Sequence, residues 1–233
     1  GSKGMTGASI LATHAALRAG AGMTISVVPS SLNNIFEKCI LEGITYALDD
    51  NLSGHLKIEH FDEIMNKVIW ADSVLIGPGL GRNKSTLELI KKLIFSIKKP
   101  LILDADGLFP FKNNYKKLNK RKFPLVITPH FGELSSISGI KLKKVESDFP
   151  EIMTKFMQNF NHTVLAKQVP SCTFNKENVT INNSGNPGLA KAGSGDVLSG
   201  ILSSFVAQGI AIEDSTKLAA YIHGKTSDII SLK

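Results

Sequence analysis

The sequence predicts an α/β fold in which a largely parallel sheet is covered by helices on both faces. Short apolar runs recur along the chain, and each ends at a turn-forming residue before a segment with helical spacing begins. The 233 residues can bury the core of one large domain. We therefore expect a single domain that spans residues 1–233.

The individual elements follow from the period of the apolar residues. Strands are predicted at residues 23–28, 73–76, 101–103, 125–128, 163–166 and 179–181. Helices are predicted at residues 10–18, 87–97, 151–160 and 215–230. Residues 167–180 predict a hairpin with its turn at residues 175–178. A further strand is expected ahead of the loop at residues 3–8, and the sequence contains none there.

Composition argues against several classes of partner. The formal net charge is +7, but the positive residues form short scattered clusters, and three Tyr and one Trp offer little for base stacking. No apolar stretch reaches the length of a membrane span. Cys39 and Cys172 lie far apart, without metal or redox spacing. We therefore expect a cytoplasmic protein with reduced thiols, no nucleic-acid partner and no membrane partner.

The most informative segment is residues 185–202, where glycines and other small residues lead directly into an apolar helical pattern. The backbone N–H groups of Gly193, Ser194 and Gly195 can converge there with the unpaired donors of the helix N-terminus. Such an arrangement suits a phosphate that gains charge during transfer. The carboxylate of Asp196 would repel phosphate, so we expect it to act on a proton or a metal ion. The pattern predicts phosphorylation of a hydroxyl group; a loop that only caps a packed helix is the alternative.

The same segment departs from two familiar glycine motifs. Gly188 and Gly193 have the spacing of a P-loop, but Ser194 and Gly195 replace its Lys and its Ser or Thr. A nucleophile elbow places a glycine two residues before and two residues after its serine, whereas Gly193 and Gly195 are directly adjacent to Ser194. The segment is therefore not a P-loop, and a serine hydrolase is not expected. The helix N-terminus is expected to keep Asp196 ionised and therefore a weak base.

Glycine-rich or polar segments follow three successive predicted strands, at residues 77–81, 104–107 and 128–133. In open parallel sheets, ligands bind beyond the carboxyl ends of the strands. We expect these segments to line one site. Asp104 and Asp106 could reach Mg²⁺ through water, and a helix cap is the alternative for Asp106. We assign no residue as a direct metal ligand.

Six motifs taken in order resemble those of the ATP- or ADP-dependent NAD(P)H-hydrate dehydratases. They are Lys-Gly-Met-Thr-Gly-Ala, Ala-Leu-Arg-Ala-Gly-Ala-Gly, Gly-Pro-Gly-Leu-Gly, Leu-Asp-Ala-Asp-Gly-Leu, Thr-Pro-His-Phe-Gly-Glu and Gly-Asn-Pro-Gly with the downstream Gly-Ser-Gly-Asp-Val-Leu-Ser-Gly. The resemblance runs from Gly4 to Asp228. It implies a ribokinase-like fold, a three-layer α/β/α sandwich.

The resemblance also implies a repair reaction on NADH or NADPH that has been hydrated at C6 of the nicotinamide ring, called NADHX or NADPHX. ADP or ATP, with Mg²⁺, would phosphorylate the new hydroxyl, and phosphate would then be eliminated. Asp196 would contact the substrate and take or orient the hydroxyl proton. The backbone of Gly193, Ser194 and Gly195 would stabilise the phosphoryl group during transfer.

By the same resemblance, Ala8, Gly79 and His130 would contact the hydrated dinucleotide, and Gly81 would let the backbone approach it closely. His130 has an alternative role as the cap of the helix that contains Glu133.

The resemblance assigns the adenine nucleotide to Lys167, Ser171 and Gly195. Family members tend to have Lys-Gly-x-x-Thr where residues 167–171 read Lys-Gln-Val-Pro-Ser. The resemblance further implies a homo-oligomer, for which the small-residue face at residues 8–19 is either a contact or a core surface. An epimerase, fused in a longer bifunctional chain or separate, is an expected partner.

Two rival functions remain open at this point. A kinase of the same fold, acting on a vitamin precursor or a sugar, would share the Gly-Ser-Gly-Asp loop and retain its phosphorylated product. A non-catalytic nucleotide-binding module would bind nucleotide without turnover. The combination of Gly-Pro-Gly-Leu-Gly, Thr-Pro-His and Lys-Gly-Met-Thr-Gly-Ala favours the dehydratase over the kinase.

Overall fold

The computed structural model describes residues 1–232, and this part of the chain contains nine α-helices and eight strands. The helices are α1 (Thr6–Arg18), α2 (Asn33–Cys39), α3 (Phe61–Val68), α4 (Lys84–Ser96), α5 (Phe131–Ser138), α6 (Leu142–Ser147), α7 (Phe149–Gln158), α8 (Ser194–Ala207) and α9 (Ile212–Ser231). The strands are β1 (Ile25–Pro29), β2 (Ile44–Leu48), β3 (Val74–Ile76), β4 (Leu101–Leu103), β5 (Leu125–Ile127), β6 (Thr163–Ala166), β7 (Cys172–Phe174) and β8 (Val179–Ile181).

The strands form two sheets. The larger sheet has the order β3-β4-β5-β6-β7-β8, parallel from β3 to β6 and antiparallel through β7 and β8. The smaller sheet pairs β1 with β2 in parallel. The carboxyl ends of β3, β4, β5 and β6 therefore lie along one edge, as the sequence predicted.

Alternation along β4 shows how the layers are built. Leu101 and Leu103 pack with buried residues from α3 to α7, whereas Ile102 packs on the opposite face against α8 and α9. Because successive side chains of a strand point to opposite faces, both faces of the sheet are covered by helices. The expected three-layer α/β/α arrangement is confirmed.

Helix α1 lies on α8, and small residues allow the two backbones to approach closely. A Cβ atom at Gly200 would stand 2.2 Å from the carbonyl oxygen of Ala12, so only glycine fits there. Ala12, Ala15 and Ala16 are buried at this contact. This part of the small-residue face therefore belongs to the core.

The predicted helices and strands are present with shifted ends, and the structure adds the helices α2, α3 and α6 and the strand β2. Helix α4 begins at Lys84 because the Asn83 side chain accepts a hydrogen bond of 3.0 Å from Ser85 N. Pro150 occupies the first turn of α7, where proline is tolerated, and the helix starts before the predicted point. The hairpin is confirmed. Strand β2 is an addition; it is half exposed and lacks a continuous apolar run.

Within residues 1–232 no helix is both long enough and apolar enough to cross a bilayer. Cys39 is exposed and Cys172 is buried, and both are free thiols.

Candidate active site

An ion pair at the carboxyl ends of β4 and β6 organises the candidate site. Lys167 follows β6, and its Nζ donates to Asp104 Oδ1 at 2.6 Å. The hydroxyl of Ser199, on α8, donates to Asp104 Oδ2 at 2.6 Å. Asp104 and Ser199 are fully buried, and the Lys167 side chain is 16% exposed. Both oxygens of the Asp104 carboxylate are thus engaged, and the Lys167 ammonium is held in place.

Glu133 adds a second carboxylate to this cluster. Its Oε2 lies 3.7 Å from Lys167 Nζ and accepts a hydrogen bond of 2.9 Å from His130 N. Burial and the nearby Asp104 charge raise the pKa of Glu133. Burial disfavours the charged Lys167, yet Asp104 and Glu133 together raise the pKa of its ammonium. The buried Lys167 ammonium therefore compensates the negative charges of the Asp104 and Glu133 carboxylates on either side of it.

His130 caps α5. Its Nδ1 accepts hydrogen bonds from Gly132 N at 3.0 Å and Glu133 N at 3.3 Å, while the Glu133 side chain accepts from the backbone of His130. The capping alternative is therefore confirmed. The ring is still 56% exposed, with its Nε2 3.4 Å from Glu133 Oε1. The cap fixes the ring at the rim of the site, and its contact with a dinucleotide stays a prediction.

Asp196 stands in the first turn of α8, next to this cluster. Its neighbour Gly195 lies close to Lys167, since a Cβ atom at Gly195 would be 3.3 Å from Lys167 Nζ. Burial, Asp104 and Glu133 raise the pKa of Asp196, and Lys167 partly opposes them. The expectation that local donors would leave Asp196 a weak base is therefore wrong. Because of burial and the two like charges, Asp196 holds a proton more firmly than an ordinary aspartate.

The glycine loop ahead of α8 needs its glycine at the helix cap. Gly193 has φ +90°, and a Cβ atom there would lie 2.6 Å from Leu11 Cδ1. The first N–H groups of α8, which include those of Gly195 and Asp196, have no partner within the helix. The hydroxyl of Ser194 lies 3.4 Å from His223 Nε2 on α9. The loop thus presents the N–H groups of Gly195 and Asp196 at the start of α8, whereas the Ser194 N–H donates to Lys191 O at 3.3 Å. That these donors bind a phosphoryl group stays a prediction.

Helix α9 holds the start of this loop. Asp228 accepts hydrogen bonds from Gly185 N at 3.0 Å and Asn186 Nδ2 at 3.1 Å. Asn186 in turn accepts from Gly188 N at 2.9 Å. These bonds tie the entry of the loop to α9.

The predicted dinucleotide residues Ala8, Gly79 and Gly81 meet where α1 begins. A Cβ atom at Gly79, which has φ +61°, would be 2.3 Å from Met5 O and 3.1 Å from Ala8 Cβ. Ser2 Oγ donates to Gly79 O at 3.0 Å. The loop after β3 therefore packs directly on the start of α1.

Asp106 links this loop to the next. Its carboxylate accepts from Gly81 N at 3.0 Å and from Arg82 Nε at 2.9 Å. The helix-cap alternative for Asp106 is wrong, because its two carboxylate oxygens accept from Gly81 N and Arg82 Nε and the short helix Ala105–Gly107 has no side-chain cap. The Arg82 guanidinium lies 4.6 Å from the centre of the Phe109 ring. The group that lies close to the Gly81 backbone in this structure is thus the Asp106 carboxylate. The contact of Gly81 with a dinucleotide stays a prediction.

A cavity of about 230 Å³ lies between these loops and the start of α5. Arg82, Phe109, His130 and Glu133 are among the residues that line it. It combines an aromatic ring and an exposed cation with backbone and carboxylate groups, so it can hold a polar, anionic part of a ligand. His130 and the Gly81–Arg82 loop are brought together here.

The residues predicted to bind the adenine nucleotide lie in two different hydrogen-bond networks. Lys167 faces Asp104 and Gly195, whereas the Ser171 hydroxyl accepts a hydrogen bond of 3.2 Å from Asn182 Nδ2. Asn182 also donates to Ala220 O on α9 at 3.2 Å. Ser171 therefore belongs to the hairpin and α9, and Lys167 to the carboxylate cluster.

The carboxylates do not form a magnesium site of their own. Asp104 is bonded to Lys167 and Ser199, and Asp106 to Arg82 and Gly81. Over residues 1–232, no group of three or more His, Cys, Asp or Glu side chains is placed to hold a metal ion. Direct protein ligation of Mg²⁺ does not fit this arrangement.

Sequence reasoning left Ser199, Glu133 and Arg82 without a functional role. Ser199 carries the clearest signal, since it lies three residues after Asp196 on the same helix face and is a fully buried polar residue. Glu133 could have been found from its spacing to His130, which is that of a capping box. The partner of Arg82 is distant in sequence and gives no local signal.

Comparison with known proteins identifies the family and its relatives. The sequence profile of the family described as NAD(P)H-hydrate dehydratase matches residues 1–233. The bifunctional NAD(P)H-hydrate repair enzyme Nnr of Moorella thermoacetica is 36% identical over 229 residues, which are 98% of this chain and 43% of that protein. The ADP-dependent (S)-NAD(P)H-hydrate dehydratase of Neisseria meningitidis is 29% identical over 99% of this chain and 75% of that protein. The chain thus spans less than half the length of its bifunctional relatives.

Solved structures confirm the ribokinase-like fold. The ADP/ATP-dependent NAD(P)H-hydrate dehydratase of Bacillus subtilis, co-crystallised with ATP and Mg²⁺, superposes with a TM-score of 0.82 at 23% identity, covering 100% of this chain and 81% of that one. A ribokinase-like superfamily protein of Enterococcus faecalis gives a TM-score of 0.79 at 25% identity, covering 98% of this chain and 76% of that one.

Proposed function

The chain belongs to the NAD(P)H-hydrate dehydratase family, and from this premise we propose that it restores hydrated NADH and NADPH to their reduced coenzymes. The proposal makes it a lyase that uses ADP or ATP as phosphoryl donor. The observation that carries it is the position of Asp196, in the first turn of α8 beside the glycine loop. The buried charges of Asp104, Glu133 and Lys167 surround that carboxylate.

In the first step, the C6 hydroxyl of the hydrated ring attacks the terminal phosphorus of the nucleotide. Asp196 accepts the hydroxyl proton, and its raised pKa makes it a better base than an ordinary aspartate. The backbone N–H groups of Gly193, Ser194 and Gly195 stabilise the transferring phosphoryl group, with the α8 dipole assisting. The bond from phosphorus to the nucleotide breaks, and the shortened nucleotide leaves.

In the second step, phosphate leaves from C6 with the bonding electrons, pushed out by the lone pair of the ring nitrogen. Loss of a proton from the neighbouring ring carbon then re-forms the double bond of the reduced coenzyme. Any Mg²⁺ would enter with the nucleotide phosphates, because this ion usually keeps several waters and binds substrate phosphates. No step depends on a protein-bound metal.

The substrates would approach from two sides of the loop. We assign the hydrated dinucleotide to Ala8, Gly79 and Gly81 at the start of α1 and to His130 at the adjoining cavity. We assign the adenine nucleotide to Gly195, Lys167 and Ser171. On this assignment Lys167 acts chiefly by holding Asp104 and Glu133 and by moderating the charge around Asp196.

We also propose the setting in which the enzyme works. An epimerase, fused or separate, would supply the epimer that the dehydratase accepts, since relatives such as that of Moorella thermoacetica are bifunctional. Homo-oligomerisation and a cytoplasmic location complete the proposal; the two free thiols agree with a reducing compartment. Sedimentation of the purified chain tests the oligomer.

The test supplies purified NADHX and Mg²⁺ with either ADP or ATP and follows the absorbance of the reduced nicotinamide together with released phosphate. We expect one phosphate for each coenzyme restored, and no reaction without nucleotide. An Asp196→Asn variant with retained cooperative unfolding should be inactive.

Other outcomes would contradict the proposal. A phosphorylated product that accumulates on another hydroxyl compound would identify a kinase. Nucleotide binding without turnover, in a folded protein tested with both nucleotides, would identify a binding module.

A further inference from the structure

Arg82 is a rigidly held cation at the cavity of about 230 Å³, which we call the small cavity. Its Nε donates to one oxygen of Asp106 at 2.9 Å, and the other oxygen of Asp106 accepts from Gly81 N at 3.0 Å. The guanidinium lies 4.6 Å from the centre of the Phe109 ring. The carboxylate and the aromatic ring together fix both the position and the plane of the guanidinium.

The far end of the Arg82 side chain is not used by the protein. Within residues 1–232 its Nη1 and Nη2 atoms make no hydrogen bond, and the side chain is 63% exposed. A guanidinium carries five N–H donors in a rigid fork, of which Nε supplies one and the two Nη atoms supply four. A fixed fork with free donors matches the oxygen atoms of a phosphate group.

Arg121 shows how a purely structural arginine differs. It is buried, and its two Nη atoms donate to the carbonyl oxygens of Ile94, Ile97 and Lys99 around the end of α4. Its donors are thus spent on the backbone, whereas those of Arg82 face the small cavity and solvent.

The small cavity adjoins the residues that we assign to the hydrated dinucleotide. His130 lines it, and Gly81 precedes Arg82 in the chain. In the described part of the chain, none of the residues that we assign to the adenine nucleotide lines it. Pockets that enclose a drug-sized ligand have volumes of about 300–1,000 Å³, so this cavity suits one group of a larger ligand.

The carboxylate of Glu133 also lines the small cavity, and other groups of the protein compensate it. Its side chain is 18% exposed, with Oε1 3.4 Å from His130 Nε2 and Oε2 3.7 Å from Lys167 Nζ. An anion in the cavity would therefore meet the free donors of Arg82 without an unpaired carboxylate beside it.

We propose that Arg82 binds a phosphate group of the hydrated dinucleotide through paired N–H donors of its Nη atoms. This role rests on the proposed function and adds a residue that sets substrate affinity. Two phosphate groups of the substrates have the required chemistry. One is the diphosphate bridge that NADHX and NADPHX share, and the other is the 2′-phosphate that only NADPHX carries.

The test compares the parent chain with Arg82→Met, Arg82→Lys and the control Arg18→Met. Arg18 is 76% exposed and pairs with Glu42 at 3.5 Å, so its replacement removes the same charge from another surface. Steady-state kinetics with NADHX and with NADPHX give KM and kcat. Titration of the nicotinamide fluorescence of NADH and NADPH gives Kd without any turnover. The urea midpoint of each variant reports its folding.

We expect Arg82→Met to raise KM and Kd by about 10- to 100-fold, because it removes hydrogen bonds to a charged group. The value of kcat should change by less than about threefold, since Arg82 lies away from the reacting ring. Arg82→Lys keeps the charge without the fork and should recover only part of the affinity. Arg18→Met should match the parent.

The two substrates identify which phosphate is bound. A loss confined to NADPHX and NADPH would place the 2′-phosphate at Arg82 and make it the residue that distinguishes the two coenzymes. An equal loss for both substrates would place the diphosphate bridge there. Either result supports the role of Arg82.

Other results would overturn this role. They are unchanged KM and Kd in Arg82→Met, an equal effect of Arg18→Met, or a rise in KM confined to ADP or ATP. Full affinity in Arg82→Lys would mean that charge alone suffices, and this comparison decides the matter if Arg82→Met does not fold.

Failure of the proposed function has a different signature. The parent chain would then turn over neither NADHX nor NADPHX, while the fluorescence titrations would still test Arg82. Weaker binding of NADH or NADPH by Arg82→Met than by the parent would support the phosphate contact. No binding of either coenzyme by the parent would overturn it.

Discussion

The ion-pair cluster at the carboxyl ends of β4 and β6 and the apolar cavity between β1 and β3 are both inside the protein, but different interactions stabilise them. At the first, Asp104, Lys167 and Ser199 are joined by bonds of 2.6 Å. At the second, apolar walls and two strand edges face a cavity of about 580 Å³. Buried charges require partners at short range, whereas buried apolar surface requires only area removed from water. The site should therefore be sensitive to the loss of a single polar atom, whereas the walls of the cavity should tolerate the loss of a methyl group.

The largest effect that tests the site is expected from Asp196→Asn. Turnover should fall by about 10³-fold, because a general base is removed while its shape is kept. The free energy of unfolding at neutral pH should not decrease. A carboxyl group with a raised pKa favours the fold most below its ordinary pKa, and this contribution is lost as pH rises through the raised value.

The measurements for Asp196→Asn are steady-state kinetics and urea denaturation. Asp214→Asn, in the first turn of α9 and exposed, is the matched control and should leave turnover unchanged. Activity of Asp196→Asn within about tenfold of the parent would contradict the base assignment.

The next effect is expected from Lys167→Met, which removes the cation from between the carboxylates. Breaking a buried pair while leaving Asp104 charged should destabilise the protein by about 3–5 kcal/mol. Lys167 lowers the pKa of Asp196, so its loss should move the acid limb of kcat/KM to higher pH.

A pH profile together with urea denaturation checks both parts of the Lys167 prediction. The variant Lys217→Met is the control, since Lys217 is half-buried and pairs only with the exposed Asp214, and it should change stability by less than about 1 kcal/mol. An acid limb that stays in place in Lys167→Met would mean that Lys167 does not influence the essential carboxylate.

A smaller effect is expected from Ser199→Ala, which deletes one donor to the buried Asp104 carboxylate. Hydrogen bonds to charged groups contribute about 1.5–3 kcal/mol, and unfolding in urea should report a loss in this range. Ser203→Ala is the matched control on the same helix, because Ser203 donates only to the backbone carbonyl of Gly200. Equal losses for the two variants would show that Asp104 does not depend on Ser199.

The smallest effect is expected at the cavity between β1 and β3. Val126→Ala in β5 removes two methyl groups from a fully buried side chain and should cost on the order of 2 kcal/mol of unfolding free energy. Val27→Ala in β1 changes a side chain that lines the cavity and should cost less than about 1 kcal/mol. Urea denaturation of the two variants measures both costs. Equal costs would mean that Val27 is packed as tightly as the core.

The sequence alone determined the features that depend on neighbouring residues. Apolar runs located most of the strands, because strand length and apolar composition are local properties. The glycine run before Asp196 predicted backbone donors at a helix N-terminus for the same reason. The order of the motifs also placed several loops at one edge of the sheet, since consecutive parallel strands present their carboxyl ends together.

Only the tertiary structure decided the contacts between distant parts of the chain. Asp104 contacts Lys167, which is 63 residues away in the sequence, and Ser199, which is 95 residues away. This cluster reversed the expected pKa direction of Asp196, because burial and like charges act through space. The cavity between β1 and β3 likewise exists only once the fold places these strands between the same helices. Local patterns specify what each segment can form, whereas the free energy of a buried charge or an unpaired strand edge depends on what the fold places beside it.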